Sequence, residues 1–201
     1  MIRRFIIFLA LLSASAIYAQ TPKPGGLTPN REISITKADG GSVQTSSRTG
    51  VNLGSSVHRR WFIINDTTCP ITLGNVGPSP HYVGPSYQLD AQGFVQAAEN
   101  ILAFEILFPM FDLWGDHMHT LSLNHVEDLA PKLPLRLEGS WYATENDVRE
   151  YFTAVAFVDK VMTADGKIWR ADRKLITQKL AEVQIQVGES GLDRDEAKPP
   201  R

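Results

Sequence analysis

Short alternations of apolar and polar residues run through the middle of the chain, and each predicts a strand because successive side chains of an extended chain point to opposite faces. Ile33 and Ile35 alternate with polar neighbours. Trp61, Phe62, Ile63 and Ile64 are apolar without a break, the pattern of a central strand covered on both faces, and Asn65-Asp66 closes it with a turn signal. Ile71 and Leu73 alternate again before Gly74. The stretch 77–85 holds three prolines and two glycines and is expected to be a loop or an irregular edge.

Residues 96–114 carry two competing signals. Ala97, Ala98, Glu99, Leu102, Ala103 and Glu105 favour a helix. Leu102, Phe104, Ile106, Phe108 and Met110 recur at every second position, which a helix would scatter and a strand places on one face. Pro109 also opposes a continuous helix, so a strand is expected, with Pro109 at a bulge or an unpaired edge position and a turn over 112–116. Leu121 and Leu123 predict the next strand, and Leu133, Leu135 and Leu137 another. The apolar run 152–158 continues to Ala164-Asp165-Gly166-Lys167, where Asp-Gly predicts a two-residue hairpin turn returning through Ile168 and Trp169. Asp172 is placed to cap a short helix reaching Ala181, with Leu175, Ile176 and Leu180 as its apolar stripe. Val183, Ile185 and Val187 predict a last strand.

The sum is a mainly β fold, an all-β sandwich with one short helix near the C-terminus. The segments RRWFIINDTTCPITL, ILAFEILFPMFDLWGDHMHTLS and FTAVAFVDKVMTADGKIW resemble the strand-turn-strand, long-strand and closing-hairpin elements of exported bacterial immunoglobulin-like or fibronectin-type sandwiches. The resemblance implies an immunoglobulin-like β-sandwich and an exported setting, and it brings no functional residues with it.

The ends differ in composition from this body. Arg3 and Arg4 precede an apolar run from Phe5 to Leu12, and small residues lead to Ala19, so residues 1–19 read as a signal peptide. The apolar stretch is shorter than the ~20 residues of a spanning helix, so no lasting membrane anchor is expected after cleavage. Residues 20–30 read as a flexible leader, 31–187 as the sandwich domain and 188–201 as a disordered tail. The expected location is periplasmic or extracellular. Twenty basic and 22 acidic residues give a net charge of −2, which is no footprint for nucleic acid. A single cysteine, Cys69, excludes an intrachain disulfide and a multi-thiolate metal site, leaving a buried thiol or a link between two chains.

The chemistry on offer is thin. Neither a Gly-x-Ser-x-Gly elbow nor a phosphate-binding glycine loop is present, and Glu145, Asp147 and Glu150 sit in a polar segment expected to be a solvated loop. Trp141 and Tyr142, between Gly139-Ser140 and that polar run, are the candidate binding residues, because exposed aromatics serve sugar or protein contact. Asp112, Asp116, His117 and His119 form the candidate metal set. On a regular strand the two histidines share a face about 6.6 Å apart, within reach of one ion. The expected function is therefore an exported, non-catalytic binding or envelope-scaffold module with no cofactor and an unknown protein or glycan ligand. The alternative is a metal-dependent enzyme using the cluster at 112–119.

Overall fold

The computed structural model describes residues 31–46, 52–83 and 86–193, with side chains described outside 42–57. The signal peptide and leader expected at 1–30, and residues 194–201, lie outside the described residues. In chain order the strands are β1 (Ile33–Ser46), β2 (Asn52–Asp66), β3 (Ile71–Val83), β4 (Ser86–Ala97), β5 (Ile101–Phe111), β6 (His117–His125), β7 (Pro134–Arg136), β8 (Ser140–Ala143), β9 (Thr153–Thr163) and β10 (Ile168–Arg170). Two helices join them, α1 (Glu145–Glu150) and α2 (Arg173–Glu182), followed by a 3-10 turn at Glu189–Leu192.

The strands form two packed sheets. The larger runs β1-β2-β9-β5-β6, with β10 beside β9, and the smaller runs β3-β4-β7, with β8 on the same edge of β4 as β7. All pairings are antiparallel except β2 with β9, which is parallel. The larger sheet is covered on both faces, and this explains its unbroken apolar runs. Toward the smaller sheet it presents Ile63, Phe104, Ile106, Phe108 and Ala156, which pack on Leu73, Val76 and Val95. On the opposite face Phe62, Ile64, Leu107, Val155 and Phe157 pack on Ile176 and Leu180 of α2 and on Leu192.

Trp61 belongs to the inter-sheet layer and is fixed by two glycines. A Cβ at Gly77 would lie 2.2 Å from its ring, and one at Gly40 would lie 2.6 Å from its Nε1. Its indole N–H donates to the hydroxyl of Tyr151 at 2.7 Å, and that hydroxyl donates to the carbonyl of Pro78 at 3.0 Å. Tyr151 thus bonds β2 of one sheet to β3 of the other.

Several expectations change against the structure. β5 is a strand, and Phe104, Ile106, Phe108 and Met110 are buried, but Leu102 is exposed because the register with β9 shifts between Ile101 and Ala103. Pro109 lies inside the sheet. The β5–β9 pairing skips Phe108 and Pro109, where proline offers no N–H, and resumes at Met110↔Ala154. Of the loop or irregular edge expected at 77–85, residues 77–83 form the edge: β3 borders the smaller sheet, its register shifts between Gly74 and Gly77, and Pro78 and Pro80 need no second partner strand there. The Asp165-Gly166 hairpin forms with a three-residue loop. Thr163 N–H bonds the Lys167 carbonyl, and only Gly166 has positive φ (81°), so the turn is a type I turn with a glycine bulge rather than a two-residue turn.

Residues 183–187 are not a strand. Gln184 turns back at φ 65°, Ile185 is buried, and the chain goes on to the 3-10 turn that seats Leu192, at 0% exposure, under the larger sheet. The folded part therefore extends past 187 to at least Asp193. Arg173 holds this end, bonding Asp159 of β9 at 2.9 Å and also Asp193. The polar run at 145–150, expected as loop, is helix α1. Thr144 caps it, and Arg59, buried and lying 5.1 Å above the Tyr151 ring, donates to the carbonyls of Val148 and Tyr151 at its C-terminal end.

Candidate functional site

One side of the sandwich is open. There β6, at the edge of the larger sheet, and β8, at the edge of the smaller one, border a cavity of about 310 Å³. Its floor is Leu89, Met110 and Leu121, and its walls are residues 119–122 of β6 and 141–143 of β8, with Asp147 of α1 at one end. Both candidate binding residues line it. Trp141 is half-buried, edge-on to Phe108 at 5.7 Å, and its indole N–H donates to the Ser122 carbonyl at 3.2 Å, so it spans the gap between the two edges. Tyr142 is 87% exposed, which leaves its ring to solvent at the mouth.

The polar end of the cleft is a His119–Asp147 pair, with Nε2 3.2 Å from Oδ1. Asp147 is held from behind. The Thr144 N–H donates to Oδ2 at 2.8 Å, while the Asp147 N–H donates to the Thr144 hydroxyl at 3.1 Å, a reciprocal cap on α1. Partial burial works to raise the Asp147 carboxyl, but the Thr144 amide and hydroxyl and the adjacent His119 outweigh it and hold the group below its ordinary value. Asp147 is therefore an ionised acceptor facing His119.

The four residues of the candidate metal set are not brought together. Asp112 Oδ1 accepts from the N–H groups of Trp114 and Asp116 at 2.8 and 2.9 Å, shaping the β5–β6 turn. The two histidines point to opposite faces, against the regular alternation expected from the sequence. Phe111 pairs with His117 and Met110 with His119, so Met118 is an extra residue in a bulge and the alternation slips by one. His117 packs against Phe111 at 5.7 Å on the α2 face and reaches Thr120 at 2.9 Å, whereas His119 faces Asp147 on the inter-sheet side. Among the described residues no group of three or more His, Cys, Asp or Glu side chains is placed to hold a metal ion.

Other titratable groups are dispersed. His81 pairs with Asp90 at 2.6 Å, and His125 stacks on Phe104 at 4.9 Å. Glu145 pairs with Arg149 on the surface of α1. Cys69 is largely buried, with Sγ accepting from the Ile71 N–H, and burial pushes its thiol up to about 12. A nucleophilic role does not suit such a thiol.

Sequence reasoning found the two aromatics of the cleft and named His119 for a different purpose. It missed Asp147 as a partner, although Thr144-x-x-Asp147 is a legible helix-start signal. Among the described residues no helix is long and apolar enough to cross a membrane. Comparison with models of known protein families, with curated proteins and with solved structures matches the chain to none of them.

Proposed function

We propose that the chain is an exported, non-catalytic immunoglobulin-like sandwich that binds a macromolecular ligand in the cleft between β6 and β8. Two packed sheets built mostly of antiparallel neighbours support the architecture. The basic and apolar pattern of residues 1–19 supports export. The observation that carries the binding reading is the cleft itself, a concave site with an apolar floor, an exposed tyrosine at the mouth and a fixed His–Asp pair at one end. A protein or a glycan is the ligand class such a mixed surface accepts.

A photo-crosslinking residue placed at Tyr142, and separately at exposed Ile168 on β10, tests this in cells. Adducts are expected from position 142 and not from 168, in the exported fraction and on a chain starting at Gln20. Equal labelling at both positions, or none at 142, would refute the cleft. Retention of Met1 in the purified protein would refute export by cleavage.

A further inference from the structure

Resting on the cleft reading and deepening it, we propose that Arg59 is a positioning residue of the cleft: by holding the C-terminal end of α1 it keeps Asp147 against His119. Arg59 belongs to β2, an interior strand of the larger sheet, and does not itself line the cavity.

Helix α1 cannot place Asp147 unaided. It has six residues, none of them fully buried. An isolated helix needs about 12–15 residues to be even marginally stable in water, so the place of α1 is set at its two ends. At the N-terminal end Thr144 and Asp147 cap each other, but both partners belong to one turn and the box ties α1 to no sheet. The His119–Asp147 contact does reach β6, yet at 3.2 Å and with a half-exposed ring it is a weak tie.

The C-terminal end is tied to the larger sheet, and Arg59 makes the tie. Its side chain is 5% exposed, and its guanidinium lies 5.1 Å over the Tyr151 ring. Nε donates to the Tyr151 carbonyl at 3.0 Å and Nη2 to the Val148 carbonyl at 2.5 Å. These are carbonyls of the last turn and the cap, which a helix leaves without donors of its own. The Tyr151 N–H donates in turn to the Asp147 carbonyl at 3.1 Å, so one helical turn separates the clamp from the carboxylate that faces the cleft. Beside it the Arg60 N–H donates to the Phe152 carbonyl at 2.9 Å, where β2 begins its parallel pairing with β9.

Charge points the same way. Among the described residues no carboxylate pairs with Arg59, and burial pulls its guanidinium below the ordinary value. A buried cation without a carboxylate is unfavourable, and the charge this one meets is the partial negative charge at the C-terminus of α1. An apolar side chain would fill the same space without that penalty but would leave two carbonyls without a donor.

The test uses the full chain, isotopically labelled, and reads Asp147 itself. In the parent its carboxyl, raised by partial burial but lowered further by Thr144 and His119, titrates below the ordinary value. Carbon-13 shifts followed against pH should show that midpoint move up toward the ordinary value in Arg59→Met. The Val148 and Tyr151 amides should exchange at least about tenfold faster in the same variant. Ile176→Ala is the control, because Ile176 is 3% exposed and its loss weakens the sandwich from the opposite face of the larger sheet. That variant should leave the Asp147 midpoint in place. If Arg59→Met fails to fold, Arg59→Gln, which keeps one amide donor and removes the charge, decides the matter. An unmoved midpoint in a folded Arg59 variant, or an equal move in Ile176→Ala, would overturn the positioning role. Neither readout needs a ligand, so the two proposals fail separately. Absence of crosslinking at position 142 in the parent would remove the binding reading alone, whereas crosslinking that falls in Arg59→Met and holds in Ile176→Ala would support both.

Discussion

Replacing Tyr151 by phenylalanine tests how the two sheets are held together. The ring is fully buried and its volume is kept, so no cavity forms. What is lost is the hydroxyl that accepts from Trp61 Nε1 at 2.7 Å and donates to the Pro78 carbonyl at 3.0 Å. Trp61 is 4% exposed and Pro78 is buried, so both partners are left without water to replace the bond. An orphaned buried polar group costs about 1–3 kcal/mol, and the two together about 2–4 kcal/mol after local relaxation. For a folded part of this size about 1 kcal/mol moves the melting temperature by roughly 2–4 °C, so a fall of about 5–15 °C is expected. Thermal and urea melts followed by circular dichroism measure it, with Tyr142→Phe as the control, since that ring is 87% exposed.

The same group carries a pH signature. Burial pushes the Tyr151 phenol above its ordinary value, against the opposing Trp61 bond. A folded-state pKa above the unfolded one gives stability that is complete below the unfolded value, about 10, and is lost as pH rises beyond it. The parent should therefore lose stability above pH ~10 more steeply than Tyr151→Phe. A variant melting within about 2 °C of the parent would refute the bridge between the sheets.

The remaining predictions address the corrected C-terminus, the cleft and the thiol. Leu192→Ala should cost about 2–4 kcal/mol in urea melts, because that side chain is fully buried; a change under about 0.5 kcal/mol would return residues 188–193 to a tail. Asp147 sits below its ordinary carboxyl value, so its contribution is present above pH ~4 and fades as pH falls through the lower folded value. Asp147→Asn should flatten that acid limb of the stability profile, and an identical acid limb would contradict the pairing with Thr144 and His119. Cys69, its thiol pushed up to about 12, should react with a disulfide reagent at pH 8 on the order of a hundredfold more slowly folded than in urea. Non-reducing electrophoresis should show monomer, and a linked dimer would contradict the burial.

Period-two alternation is a local property, so the chain alone determined where most strands lie. The unbroken apolar run at 61–64 also announced a strand covered on both faces, the apolar run at 152–158 announced β9, and Asp172 announced the start of α2. The sequence could not show which layer covers which face. Phe104 and Ile106 face the smaller sheet while Phe157 faces α2, a difference set by strand order and register. Nor could it show that Met118 is an extra residue in a bulge, because a bulge exists only relative to the partner strand, and that one residue sends His117 and His119 to opposite faces. Leu192 looked like a lone apolar residue in a charged tail, and only the space beneath the larger sheet gave it a place. The cleft has the same origin. Trp141 and Tyr142 were visible as aromatics, but the meeting of the edges of β6 and β8 and the turning of Asp147 toward His119 depend on contacts between residues 19 to 28 positions apart, which no local pattern records.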